Sequence, residues 1–242
     1  MQLKDMILRR KSMRSYTGEE VDIPTLAAIE EFWKQAAPLV PGIRTRIRIL
    51  PRSQIHTVLP WVTPQLIAIY SEEKELWLEN AGFLGQQLDL YLQSIDLGAC
   101  WLGIGRTDSR TAATAKEDDP DMKFVILIAF GHPKGDATRS GAVEFHRRSL
   151  AEIADAADPR LEPARLAPSS VNSQPWYFTH EGDTLHVWRT FSLLRPSLSE
   201  MNRIDMGICL AHLYLCHPES FRFFRTEVPG RRGCIYTGSV TL

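Results

Sequence analysis

The sequence predicts an α+β fold in which the second half repeats the element order of the first, an internal duplication. Three observations carry this: helix-length and strand-length periods alternate along the chain, an Ala-Pro loop occurs twice, and each loop stands in the same order among its neighbours. The boundary between halves is placed at 145/146, giving 1–145 and 146–242. In the first half a helix runs from Ile23 to Ala37, and Ala36-Ala37-Pro38 stops it. An alternating strand follows from Ile43 to Leu50, then a long helix from Glu75 to Leu97 and an apolar strand from Phe124 to Phe130. In the second half a helical stretch from Leu150 to Leu166 reaches Ala167-Pro168. A strand pair (Trp176 to Thr179, Thr184 to Trp188), a helix from Asn202 to Cys216 and a closing strand from Cys234 to Leu242 complete it.

The second Ala-Pro loop is the more informative copy. It reads Ala167-Pro168-Ser169-Ser170-Val171-Asn172-Ser173-Gln174-Pro175-Trp176, and its hydroxyl and carboxamide groups both donate and accept. Such a display suits a flat heterocycle edged with carbonyls and ring nitrogens, and two prolines limit its relaxation. Far upstream, Arg10, Ser12 and Arg14 alternate beside Lys11 and fall on one side of an extended segment. Charge-assisted donors in that number fit a phosphate monoester, and the arginine fork matches its geometry. A polar cradle together with a cationic clamp points to a phosphorylated aromatic cofactor.

These residues carry a resemblance. Arg10-Lys11-Ser12-Met13-Arg14-Ser15-Tyr16 is similar to the Arg-x-Ser-x-Arg-x-aromatic opening of the FMN-dependent nitroreductase family, and Pro168 to Trp176 resembles its Pro-Ser-x-x-Asn-x-Gln-Pro-Trp loop. Gly98-Ala99-Cys100-Trp101-Leu102-Gly103 resembles the glycine-rich strand beside the flavin. Phe124 to Gly131, Pro133 and Arg147-Arg148-Ser149-Leu150 resemble the late strand, Gly-x-Pro and basic segment. In an ordinary member the serine-rich loop follows the opening after a few dozen residues. Here that place is taken by Ala36-Ala37-Pro38-Leu39-Val40-Pro41-Gly42-Ile43-Arg44, which keeps Ala-Pro but lacks Ser, Asn and Gln. The displacement resembles the tandem "putative TM nitroreductase" branch of the superfamily.

The resemblance implies a nitroreductase-like fold whose single composite flavin site draws on both halves. It implies a cofactor set of Arg10, Lys11, Ser12, Arg14, Trp101, Leu102, Gly103, Arg148, Pro168, Ser169, Ser170, Asn172 and Gln174, with Arg147 an equal candidate to Arg148. Arg10 and Ser12 would hold the phosphate and ribityl chain, and Arg14 or Lys11 would stabilise negative charge near N1 and O2 of the reduced flavin. Asn172, Ser169 and Ser170 would contact the ring from across the pseudo-interface. It implies NAD(P)H as reductant, a small-molecule electron acceptor and ping-pong turnover, the flavin carrying the redox chemistry. No acid or base of the protein is assigned. An FMN- or ligand-binding module without turnover, a flavin-free scaffold, and reductive dehalogenation or flavin-fragmenting oxidation on the same fold are the alternatives.

The rest of the sequence sets bounds. With 242 residues, 44% of them hydrophobic, the chain can bury a sizeable core. A formal charge of −1 argues against a nucleic-acid partner, and the basic runs Arg44 to Arg48 and Arg222 to Arg232 read as a solvated strand face and a surface turn. No apolar run has signal-peptide or membrane-spanning length, so a cytoplasmic protein without a membrane partner is expected, monomeric as a pseudo-dimer or in a higher oligomer. The cysteines form no Cys-x-x-Cys pair. Asp205, Cys209, His212 and Cys216 recur along one helix face, but one straight helix cannot wrap a metal, so a packed helix is expected and no metal. His180-Glu181 lacks the second histidine of a zinc-protease motif, and Gly103-Ile104-Gly105 lacks the rest of a dinucleotide fingerprint. Ser71-Glu72-Glu73-Lys74 reads as a helix start, with Ser71 the N-cap and Glu73 and Glu75 at the positive end of the dipole.

Overall fold

A computed structural model describes residues 2–58, 63–191 and 198–242. In chain order the elements are α1 (Leu3–Met6), α2 (Ile23–Gln35), β1 (Thr45–Pro51), β2 (Ile55–His56), β3 (Gln65–Glu72), α3 (Trp77–Ser94), β4 (Gly98–Leu102), β5 (Arg106–Thr107), α4 (Ser109–Asp118) and β6 (Met122–Gly131). They continue with α5 (Leu150–Ile153), α6 (Glu162–Arg165), β7 (Trp176–Glu181), β8 (Thr184–Thr190), α7 (Ser199–Cys216), β9 (Arg222–Phe224) and β10 (Cys234–Thr241).

Two antiparallel sheets of four strands form, in the orders β1-β3-β6-β4 and β7-β8-β10-β9. Helix α3 packs on the first sheet and α7 against the second, and the two helices cross each other at the centre. One apolar cluster runs through all of these layers, from Ile67 and Ile128 through Leu84 and Leu210 to Val187. Both helices are buried nearly all round, as expected of core helices rather than surface ones.

The crossing is self-complementary. A Cβ on Gly82 would fall on the carbonyl oxygen of Ile204, and a Cβ on Gly207 would fall on that of Glu79. Each glycine therefore meets the carbonyl three residues before the other. That is the isologous pattern of a two-fold dimer, here closed inside one chain. Two residues before each glycine the symmetry repeats: Asn80 Oδ1 accepts from Val40 N at 3.0 Å, and Asp205 Oδ1 accepts from Ser170 N at 3.0 Å. Val40 and Ser170 each lie two residues beyond the proline of their Ala-Pro loop, so the two loops are equivalent structures and the duplication is real.

Several expectations change. The run before α3 is strand β3, not a helix start: Ser71 pairs with Thr45 and Lys123, is fully buried, and caps nothing. The helix begins at Trp77 after Leu76 turns left-handed at φ 63°. The stretch from Leu150 to Leu166 is broken into α5, a 3-10 turn at Pro159–Leu161 and α6, because Ala154 is extended and bridges Phe178 of β7. Part of the basic run from Arg222 is strand β9 rather than turn. Among the described residues no helix is long and apolar enough to cross a membrane, and no cluster of His, Cys, Asp or Glu could hold a metal.

Candidate functional site

A cleft of about 260 Å³ opens where the N-terminal segment, β4, the second Ala-Pro loop and α7 meet. The N-terminal segment is fixed by pairing with β4: Ser12 bridges Ala99, and Met13 N donates to Ala99 O at 2.9 Å. Gly98 makes this approach possible, since a Cβ there would press on the Met13 side chain. Tyr16 is buried beneath and donates to Met13 O at 2.8 Å. This docking carries Ser12 and Arg14 to one wall of the cleft.

Strand alternation sorts the β4 residues. Trp101 faces the cleft and the central cluster, whereas Leu102 points into a separate cluster behind the sheet with Leu66 and Leu127. Gly103 leaves the cleft its width, because a Cβ there would meet Met201 Sδ at 3.0 Å.

The opposite wall is Pro168, Ser169, Ser170 and Val171, with Met201 and Asp205 of α7 below. Its loop is tightly specified. Val171, Asn172 and Gln174 all take positive φ, at 47°, 55° and 48°. Such values are costly for a β-branched residue like Val171, so surrounding bonds must impose them. They do: Gln174 N donates to Ser169 Oγ at 2.9 Å, Arg148 N to Gln174 Oε1 at 2.8 Å, and Arg147 Nη1 to Asn172 Oδ1 at 2.8 Å. Arg147 Nε also donates to Ala167 O at 2.9 Å. Burial and the neighbouring cations Arg10 and Arg139 bring the Arg147 pKa down to about 10.

A buried polar chain links the two walls. Trp101 Nε1 donates to Gln86 Oε1 at 3.2 Å, and Gln86 Nε2 contacts Asp89 Oδ2 at 3.2 Å and His212 Nε2 at 3.1 Å. His212 Nδ1 lies 2.9 Å from Pro163 O, which can only accept, so Nδ1 carries the proton and Nε2 accepts from Gln86. Every hydrogen-bonding group of Gln86 is thereby satisfied. Burial brings the His212 pKa down to about 3, which keeps the imidazole neutral. Asp89, wholly buried, is raised by desolvation, and Arg10 opposes that shift with Nε at 3.0 Å.

The sequence-derived residues thus occupy distinct places. Ser12, Arg14, Trp101, Gly103, Pro168, Ser169 and Ser170 line the cleft. Arg10 lies one layer behind, 1% exposed, donating to Ser12 Oγ at 3.0 Å. Arg148, Asn172 and Gln174 brace the loop from its far side, and Lys11 Nζ reaches Asp136 O at 3.3 Å on the surface. On the helix face, Asp205 and His212 bond the 163–170 segment, and Cys209 Sγ faces Ala164 O at 3.9 Å. Sequence reasoning left out Gln86, Asp89 and Met201, and took Asp205 only as a metal ligand to be dismissed; its place on that face was the available signal.

Two pseudo-symmetric α+β halves, crossing helices and a cleft walled by both define an α+β architecture of the nitroreductase class. The chain belongs to the family described as "Putative TM nitroreductase", whose model matches residues 2–217. A putative nitroreductase from Thermotoga maritima superposes with a TM-score of 0.64 at 22% identity, over 100% of this chain and 94% of that one. A nitroreductase family protein from Clostridium difficile 630 gives a TM-score of 0.50 at 12% identity, and 98% of it covers only 66% of this chain. A putative nitroreductase from Desulfovibrio desulfuricans, solved in complex with FMN, is 24% identical over 62% of this chain and 93% of its own, with a TM-score of 0.45. No curated protein matches the sequence.

Proposed function

We propose that the cleft binds one FMN per chain and that the protein is an FMN-dependent oxidoreductase passing electrons from NAD(P)H to a small organic acceptor by a ping-pong mechanism. The observation that carries this reading is the composite cleft, framed by Ser12 and Arg14 from one half and by Ser169 and Ser170 from the other. Its donor set fits the cofactor: hydroxyls suit ring carbonyls and ring nitrogens, and a guanidinium suits a phosphate or a reduced pyrimidine edge. Its volume, near the lower end for organic-ligand pockets, suits a planar ring with its tail leading out.

The bound flavin would supply hydride acceptance and donation at one ring position. The chain does the rest. Ser12, Ser169 and Ser170 would hold the flavin from the two halves of the chain, and the left-handed loop residues fix the two serines in place before the ligand arrives. Trp101, fixed by Gln86, supplies one wall, and Arg14 supplies positive charge where the reduced ring gains negative charge. Arg10 acts through Ser12, which it holds by a hydrogen bond. The covalent link between halves lets a single chain complete the site.

The test is a visible absorption spectrum during titration with FMN, followed by NADH or NADPH without oxygen. One FMN per chain and bleaching by a nicotinamide are expected. Binding without bleaching by either would replace the enzyme with a binding module, and no binding would withdraw the function.

A further inference from the structure

Asp205 is a buried acid that the reading above does not use. It is 3% exposed and nevertheless forms part of the cleft wall. Oδ1 accepts from Ser170 N at 3.0 Å, and Oδ2 lies 3.5 Å from Ser173 Oγ. Among the described residues no cation forms an ion pair with it.

The other half of the chain supplies an internal control. Asn80 stands at the equivalent helical position and holds the N–H of Val40 at the same 3.0 Å. An amide oxygen is therefore enough to latch the loop. A carboxyl in that place adds one property that the amide lacks, a proton that can be released.

We propose that Asp205 is a catalytic proton donor of the cleft, its carboxyl O–H giving the acceptor the proton that accompanies hydride transfer. The inference rests on the function proposed above. The acceptor gains a hydride, whose two electrons originate from NAD(P)H, and then the proton. The Asp205 O–H bond breaks as the bond from that proton to the acceptor forms, and the carboxylate recovers a proton from solvent. The acceptor is reduced by two electrons and two hydrogens, which suits a nitro compound or a quinone.

The surroundings favour a neutral acid. Burial raises the Asp205 pKa to about 8, against the smaller opposing effects of Ser170 and Ser173. Cys209, one turn along α7, is a buried thiol whose pKa is raised by burial and by Asp205 itself. The loop meets Asp205 through Ser170 N and Ser173 Oγ, neither of them charged. Across the cleft stand Arg14 and Cys100, and on α3 the carboxylate of Glu79 is bound by Arg203 at 2.9 and 3.0 Å.

Asp205→Asn reproduces the arrangement at Asn80 and retains the latch. Three measurements on the full chain decide the matter: FMN titration, infrared difference spectra of FMN-free protein across the titration, and stopped-flow oxidation by p-nitrobenzoate of flavin first reduced with dithionite. In the unaltered protein we expect a neutral-carboxyl band that disappears as pH rises past about 8, and a reoxidation rate that falls over the same range. Asp205→Asn should bind FMN as well as the parent, lack that band, and reoxidise about 100-fold more slowly at neutral pH with a flat pH profile. Reoxidation at the parent rate, or a parent rate without this titration, would overturn the proposal while leaving the flavin function standing. Failure of the parent to take up FMN would overturn both. The band and the pH profile of the parent decide the question without the variant if Asp205→Asn does not fold.

Discussion

At the scale of single residues, Arg10 and Arg14 look alike in sequence and differ completely in place. Arg10 is sealed beside Asp89, with side-chain exposures of 1% and 0%, so Arg10→Ala would strand a buried carboxylate. A loss of about 3–5 kcal/mol of stability is expected, read from urea denaturation. Arg14, exposed at the cleft, should behave the other way. Arg14→Ala is expected to leave stability within about 0.5 kcal/mol and to weaken FMN binding by about 1.5–3 kcal/mol, measured by fluorescence titration of the apoprotein. The alternation of Arg10, Ser12 and Arg14 was legible as a donor cluster, and so was the serine-rich loop. Which arginine is buried was not, because Asp89 lies on a helix far along the chain and nothing near Arg10 announces it. The same holds for Gln86, whose value comes from three partners on three different segments.

At the scale of elements, the crossing of α3 and α7 depends on two missing side chains. Gly82→Ala or Gly207→Ala places a methyl group on a backbone carbonyl that cannot rotate away, and each should cost about 3 kcal/mol, seen as a lower urea midpoint. The first Ala-Pro loop offers a contrast. Arg44 there is engaged in surface ion pairs with Glu72 at 2.7 Å and Asp119 at 2.6 Å, away from the cleft. Arg44→Ala is expected to leave FMN affinity unchanged in the same titration. The long helices and the apolar strand β6 were legible because their periods are sustained. Strand β3 was missed because Gln65–Glu72 is buried almost throughout and shows no alternation, while the acidic residues after it imitate a helix start. The break after α5 escaped notice because it depends on Ala154 pairing with a strand that comes later in the chain.

At the scale of the whole molecule, two buried groups shape the pH dependence of folding. Asp205 holds its proton up to about 8 when folded and releases it near the ordinary 3.8 when unfolded, so between those values stability falls as pH rises. His212 does the reverse. It stays neutral down to about 3 when folded but binds a proton below 6.5 when unfolded, so stability falls as pH drops under 6.5. Between 3.8 and 6.5 these two slopes oppose each other, with Asp89, also raised by burial, on the side of Asp205, and above 6.5 His180, raised by its bond to Asp155, loses stability alongside Asp205. Calorimetry should show stability declining from pH 6.5 to 8, with Asp205 contributing about 1.4 kcal/mol per pH unit to the slope. Asp205→Asn should make that decline shallower by the share of Asp205. The glycine crossing has a further consequence. In a homodimer every mutation strikes both subunits at once, so neither face can change without its twin. With both faces encoded in one reading frame, each position of the pair is inherited separately. Asn80 and Asp205 are what that independence permits: two residues with one structural task, only one of them free to acquire another.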